Sequence, residues 1–404
     1  MPRPASGRQG RRPFDTLPVV SDPATAWQAL CAQLARSGET ISGPGWPDDP
    51  SGNAEGFRHL ARLTVMAFQS YLEFGDVDFP AFHRYDDDAV KWGGPNVDNH
   101  YLRARVDATG VYRIHGNVAG VRDLIVSTHE GDMQLGQYGV FAEHQLADLG
   151  VGDDGDLDIT LGGPPVDANW IPLDPAATLV MIRVYVADWS VDDPGWFDIE
   201  RIDRATDRPP ALDPATVARA LDSAAHWVDT SVHYWRDYLE SSPVRALINT
   251  LSPPRGARGG SERIRYGAGW WLLEDGEALA IDFTRPDCDY WSFQLYSTPW
   301  FESLDVRNRV NSFTNATAID AGGRVRLVVC ASDPGVANWL DTEGRREGMI
   351  SYRFIGGSEP PTPVATKLSE QQTAQLGAEG GFTAADRRAQ IDSRRQGIAR
   401  RFRR

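Results

Sequence analysis

The chain has 404 residues, 41% of them hydrophobic and 24% charged, with 13 tryptophans, a composition that builds packed cores and excludes a disordered protein. A net charge of −15 disfavours nucleic acid as a partner, and no run of about 18 apolar residues offers a membrane span. Three cysteines, Cys31, Cys288 and Cys330, match neither a disulfide framework nor a metal knuckle, so a cytoplasmic, reducing setting is expected.

Length predicts two domains with flanking segments. Residues 1–20 read as a flexible leader carrying arginines and prolines, without the apolar run of a signal peptide. An N-terminal helical segment follows over 21–95. There Asp22-Pro23 reads as an N-cap with a first-turn proline, and Trp27, Leu30 and Leu34 recur at helical spacing. A second helix is predicted from about Ala54 to Phe74, with Phe57, Leu60, Ala67, Tyr71 and Phe74 on its apolar face.

The first β-rich unit spans 96–205, with alternating runs at Tyr101–Val106, Val111–His115, Leu124–His129, Leu157–Leu161 and Leu179–Val186. A helical connector over 211–250 opens at Asp213-Pro214, runs to about Leu239, and gives way to the breaker cluster Ser252-Pro253-Pro254-Arg255-Gly256. The second β-rich unit covers 262–366. In the basic tail, 367–404, eight arginines after residue 386 set against Asp392 leave the rest of the chain at −22. Ile391, Ile398 and Phe402 fall on one helical stripe of that tail, which predicts a helix docked on the acidic body or on a neighbouring subunit.

The two β-rich units repeat one another. Tyr112-Arg113-Ile114-His115 corresponds to Leu279-Ala280-Ile281-Asp282, and the run from Leu124 to His129 corresponds to that from Trp291 to Tyr296. Asn169-Trp170-Ile171 corresponds to Asn338-Trp339-Leu340, and Met181-Ile182 to Met349-Ile350, at an offset that stays between 167 (Ile114 to Ile281) and 169 (Asn169 to Asn338). The fold expected is mainly β with helical additions: two tandem jelly-roll-like antiparallel β-sandwich units related by internal duplication, with N-terminal, connector and C-terminal helices.

The second unit, through Asp320 to Arg326, Ala337-Asn338-Trp339-Leu340 and Tyr352-Arg353-Phe354, resembles the C-terminal domain of unknown function 1214 (DUF1214) found in bacterial proteins. The likeness covers about Ala278 to Pro363, and Lys91-Trp92-Gly93-Gly94-Pro95-Asn96-Val97-Asp98-Asn99-His100-Tyr101 is similar to the opening segment of such proteins. Where the family ends in Arg-x-Tyr-x-Pro, this chain reads Arg353-Phe354-Ile355-Gly356. The resemblance implies tandem sandwiches that assemble into oligomers, and it brings no catalytic residues.

Common catalytic signatures are absent: there is no GxSxG elbow, HExxH, Walker loop or GxGxxG after a strand, so no nucleotide, flavin or other cofactor is expected. The connector carries Asp222, His226, Asp229 and His233 on one helical face, a pattern able to chelate a metal. The plainer account is the wet shoulder of an amphipathic helix whose apolar stripe is Leu221, Ala224, Val228, Val232, Trp235 and Leu239. His115 and Asp282, at corresponding strand positions, are candidate acid–base residues, with ordinary solvent-facing side chains as the alternative. Tyr290, Gln294 and Tyr296, opposite in face to Trp291, Phe293 and Leu295, are candidate ligand residues, as are Asn338 and Trp339, which read first as structural.

The leading functional reading is a cofactor-independent enzyme or a binder of an apolar or carbohydrate-like small molecule, acting in a cleft between the β-units and the helices. The rivals are a structural protein whose sandwiches serve homo-oligomer assembly, and a metal-dependent hydrolase centred on the Asp/His helix.

Overall fold

Aspartate followed by proline opens the first two helices of the chain, α1 (Pro23–Ile41) and α2 (Pro50–Phe68). Asp22 accepts from the backbone N–H of Thr25 at 3.0 Å and Asp49 from that of Gly52 at 2.9 Å, while each proline occupies a position whose N–H would go unused. The computed structural model describes residues 22–402 apart from 48, 257–262 and 358, so the leader over 1–20 lies outside the described residues.

The first β-unit contains β1 (Asn99–Arg105), β2 (Tyr112–Asn117), β3 (Asp123–His129), β4 (Val140–Gln145), β5 (Asp156–Leu161), β6 (Trp170–Ile171), β7 (Leu179–Tyr185) and β8 (Trp196–Arg201). They form two sheets, ordered β1-β7-β3-β4 and β6-β5-β2-β8. The connector α3 (Pro214–Ser241) begins with the same Asp-Pro device, Asp213 accepting from the N–H of Thr216.

The second unit contains β9 (Ile264–Leu272), β10 (Ala278–Thr284), β11 (Tyr290–Tyr296), β12 (Ser312–Thr314), β13 (Asp320–Ala321), β14 (Arg324–Cys330), β15 (Trp339–Asp341), β16 (Glu347–Ile355) and β17 (Val364–Leu368). One sheet reads β9-β16-β11-β12; the other has β17, β10 and β14 in line, with β13 and β15 both paired to β14. The chain closes with α4 (Glu370–Gly380) and α5 (Ala384–Phe402).

Strand for strand, the units match. β1, β7, β3 and β4 correspond to β9, β16, β11 and β12, and β8, β2, β5 and β6 to β17, β10, β14 and β15. Even the exception is shared, because β6 runs parallel to β5 and β15 parallel to β14 while every other pair is antiparallel. Ile114 faces Ile159 as Ile281 faces Leu327. The Met-Ile strand departs from the sequence offset: Ile125 faces Arg183, whereas its counterpart Ser292 faces Arg353. Strand β16 is thus displaced by two residues from the alignment of Met181 with Met349, and an even slip leaves the same faces pointing inward.

Each unit is a sandwich with its own core. Tyr112, Ile114, Val126, Ile159 and Ile182 fill the first, and Ile281, Phe293, Leu327, Ile350 and Phe354 the second. The inner sheets meet through buried Ile125, Tyr185, Ile264, Tyr290 and Ile355. Over one end of this junction lie the helices, with Trp227, Val228, Val232 and Trp235 of α3 sharing a core with Leu63 and Met66 of α2 and with Trp270 and Met349. The stripe expected on α3 is buried as the sequence predicts. Among the described residues no helix is long and apolar enough to cross a membrane.

Several local expectations need correction. Trp27 is 52% exposed and Phe57 45%, because α1 turns Ala26, Leu30 and Ile41 inward and α2 turns Leu60, Leu63 and Met66 inward, leaving each aromatic off the buried stripe. The second helix starts at Pro50, four residues before the predicted Ala54, and its last predicted turn, Gln69–Glu73, winds as a π-helix. Strands β4 and β8 fall outside the β-rich runs read from the sequence.

The basic tail docks on the body. In α5, Ile398 and Phe402 are buried beside Trp189 and Val97, and Ile391 packs against the second core. Three arginines at heptad spacing carry the contact. Arg387 pairs with Asp333 at 2.9 Å, Arg394 bonds Ser312, and Arg401 donates to the carbonyl of Val97. The guanidinium carbons of Arg394 and Arg401 sit 4.7 and 4.8 Å from the ring centroid of Trp189. Burial pulls both of these arginines down to about 10, opposed by nearby Asp98.

Candidate functional site

Between the inner sheets and beneath α3 lies a cavity of about 620 Å³. Its walls come from β1, β3 and β7 of the first unit, β9 and β16 of the second, the C-terminal half of α3 and the segment from Tyr85 to Asn99. This volume falls within the range of small-molecule sites. Trp92, Trp235, Phe301, Met133, Met181 and Met349 supply apolar surface, and Tyr85, Tyr101, Tyr138, Tyr185, Tyr234, Tyr238 and Tyr266 add phenols. Among the described lining residues only Tyr238, 46% exposed, is classed with the surface, so the mouth lies near the end of α3.

The loop before β1 forms one wall because of two glycines. Gly93 and Gly94 each have φ of +66°, which favours residues without a side chain. A Cβ at Gly93 would lie 2.6 Å from the Trp235 ring, and one at Gly94 2.3 Å from the Phe301 ring. Those contacts let the backbone pass directly beneath two aromatic side chains.

A polar bracket fixes the rest of the loop. The Asn96 N–H donates to the Tyr101 hydroxyl at 2.9 Å, and its side-chain amide donates to Asn99 Oδ1 at 2.8 Å and to the Tyr290 hydroxyl at 3.1 Å. Gln294 donates to Asn96 Oδ1 at 3.1 Å and accepts from the Val97 N–H at 3.0 Å. The Tyr296 hydroxyl donates to the Pro95 carbonyl at 3.0 Å.

Charged groups line the same space. Arg103 is held by Asp132 Oδ1 at 2.9 Å and Ser70 Oγ at 2.8 Å, and Asp132 Oδ2 accepts from the Trp227 indole at 2.7 Å. Arg183 and Arg353 also reach the wall. Burial holds the His129 imidazole neutral, down at about 3, helped by the charge of Arg183, while Ser127 Oγ lies 2.8 Å from its Nε2.

Asp86 accepts from the Trp92 N–H at 2.8 Å, and burial raises its carboxyl well above the usual range despite that bond. A folded-state pKa above the unfolded value of about 3.9 means the folded chain binds more protons, so stability falls as pH rises through that window. Asp86→Asn keeps the acceptor and is expected to raise the melting midpoint by about 3 °C or more at pH 8, with a smaller gain at pH 4. Scanning calorimetry at the two pH values checks this.

The residues singled out in the sequence are scattered. Tyr290, Gln294 and Tyr296 are buried and sit behind the cavity wall, their polar tips engaged by the loop that lines it. Asn338 and Trp339 lie in the outer sheet of the second unit, away from the cavity. There Asn338 accepts from the Ile319 N–H and donates to the carbonyls of Ile319 and Arg326, and the Trp339 indole donates to the Cys330 carbonyl. Asn169 and Trp170 make the corresponding bonds to Gly150, Asp158 and Gly162.

His115 lies on the outer sheet of the first unit with Nε2 3.9 Å from Asp198, and Asp282 on the outer sheet of the second, in a two-bond pair with Arg326. They do not converge. On α3, Asp229 accepts from Gln33 of α1 at 2.6 Å, His226 is exposed and His233 half-buried. Asp222 is also half-buried, its carboxyl raised by desolvation, and among the described residues no three metal-ligating side chains cluster.

Sequence reasoning missed the lining arginines, Arg103, Arg183 and Arg353, because each looks like any polar residue of an alternating strand. The signal that did point here is Trp92-Gly93-Gly94-Pro95-Asn96, marked in the sequence only as a family-like opening segment.

The architecture is that of a protein with two matched β-sandwiches and a cavity at their junction. An uncharacterized protein from Burkholderia cenocepacia, known from its crystal structure, is 35% identical, with a TM-score of 0.78 over 86% of this chain and 98% of that one. The chain belongs to the same family as that protein. The crystal structure of the VPA0106 protein from Vibrio parahaemolyticus is 12% identical, with a TM-score of 0.45 over 78% of this chain and 98% of that one. No family model matches the chain, and no curated protein does.

Proposed function

We propose that this protein binds a small, ring-shaped, largely apolar organic molecule in the cavity between its β-units and helices, and acts on or carries it without a nucleotide or flavin. The observation that carries this reading is the cavity itself: about 620 Å³, walled by aromatic and methionine side chains and bounded by a loop whose glycines admit no side chain. The aromatic and methionine walls favour a flat, largely apolar ring, with the phenols and arginines left to meet its polar substituents.

Native mass spectrometry of protein purified from its own host tests the reading. A retained small molecule is expected, and Ala268→Phe, which fills part of the cavity, is expected to release it. Retention unchanged by Ala268→Phe would place the molecule elsewhere and overturn the reading.

Matched strand order, pairing and Asn-Trp hydrogen bonds support descent of the two units from one duplicated sandwich. The segment Asn338-Trp339-Leu340 and its flanking strands support kinship of the second unit with the DUF1214 domain. Unpaired Cys31, Cys288 and Cys330 are compatible with a cytoplasmic home.

A further inference from the structure

Two arginines stand at matching positions in the two units. Arg183 on β7 faces Tyr101 of the edge strand β1, and Arg353 on β16 faces Tyr266 of the edge strand β9. Because the inner sheets abut, both line the one cavity. Each also acts electrostatically on Tyr101 and Tyr185, which places the two guanidiniums at the same end of it.

Neither makes an ion pair among the described residues, though the buried Asp98 carboxyl acts on Arg353. Arg103, by contrast, is neutralised by Asp132. Arg353 is 6% exposed, and among the described residues its guanidinium bonds the Tyr296 hydroxyl, from Nη2 at 3.2 Å. The Nε atoms of both arginines are buried without an acceptor. The phenols around them are kept neutral, burial raising Tyr101 and Tyr185, and Asp86 likewise resists ionisation. Two guanidiniums drawn into the wall without an ion-paired anion are costly to the fold. Such a cost is offset when a ligand supplies the anion, and the fork of a guanidinium matches a carboxylate in two bonds.

We propose that the molecule bound in this cavity is a ring compound bearing a carboxylate, gripped by Arg183 and Arg353 while its ring lies against the aromatic walls. Tyr101 is placed to assist, since its oxygen accepts from the Asn96 N–H and its own proton is left to donate. The inference rests on the small-molecule reading above and adds the charge of the ligand.

The test titrates the full chain by calorimetry with aromatic acids and their primary amides, 2-naphthoate with 2-naphthamide and 4-phenylbenzoate with 4-phenylbenzamide. Each acid is expected to bind at least about tenfold more tightly than its amide, and the ratio to fall below about threefold in Arg183→Met and in Arg353→Met. Both variants, freed of an uncompensated buried charge, are expected to melt at a higher temperature than the unliganded parent. Equal affinity for acid and amide would overturn the carboxylate and leave the cavity reading standing, whereas no binding by any of the four compounds would overturn both. Lower melting temperatures in both variants would make the arginines structural struts and overturn the proposal. Inorganic phosphate displacing the acids at equal concentration would overturn the assignment to carboxylate.

Discussion

Trp339→Ala is expected to lower stability by about 3–5 kcal/mol, the range for truncating a large buried aromatic. The ring is 7% exposed and packs with Ala278, Val328, Cys330 and Val336. Its indole N–H donates to the Cys330 carbonyl at 2.9 Å, and Arg387 of α5 stacks 4.9 Å above it. Losing the ring therefore removes a core contact, a hydrogen bond and one anchor of the C-terminal helix together. Asn338→Ala is expected to cost about 1–2 kcal/mol by stranding the backbone groups of Ile319 and Arg326. In the first unit Trp170 makes the same indole bond, to Gly162, but is only half-buried, so Trp170→Ala should cost less than Trp339→Ala. Denaturant unfolding of the three variants gives the ranking. An unchanged midpoint for Trp339→Ala, with altered binding of a small molecule, would move this turn into the functional site.

Much of the architecture was legible because it rests on local chemistry. Asp22-Pro23 and Asp213-Pro214 announce helix starts through bonds made within one turn. The alternation along β2, β10 and β11 reports two-sided sheets, and the repeated Asn-Trp reports a turn whose hydrogen bonds recur atom for atom in the two units. Asp49-Pro50 makes the same kind of cap, but the Pro-Ser-Gly-Asn turn that follows is weakly apolar and leaves little periodicity to read. The site was less legible. Tyr290, Gln294 and Tyr296 were correctly placed on the face opposite the core of their own sandwich, yet that face meets the other unit. Alternation tells which side of a sheet a residue occupies and cannot tell whether that side meets solvent, a second sheet or a cavity. Arg183 and Arg353 were hidden for the same reason, and their correspondence appears only through a two-residue slip of β16.

Acidification is expected to destabilise the protein through two histidines buried in their neutral form. His83 and His129 are each held down at about 3, chiefly by burial and then by the charges of Arg103 and Arg105 for His83 and of Arg183 for His129. A folded-state pKa below the unfolded value of about 6.5 means that the unfolded chain takes up the proton first, so their stabilisation is present above pH 6.5 and is lost as pH falls toward 3. Between pH 7 and pH 5 each contributes a loss of about 2 kcal/mol, from about 1.4 kcal/mol per pH unit over the interval below 6.5. Asp86 and Asp98, whose carboxyls are raised by burial, act in the opposite sense, since their ionisation favours unfolding as pH rises. The histidine term is therefore read from variants and not from the parent alone. Replacing both with glutamine, which stays neutral, is expected to flatten the stability profile between pH 7 and pH 5 by about 4 kcal/mol relative to the parent, whatever the offset at pH 7. Urea unfolding of parent and double variant at the two pH values measures it, and parallel profiles would show that these imidazoles titrate alike in the folded and unfolded chain.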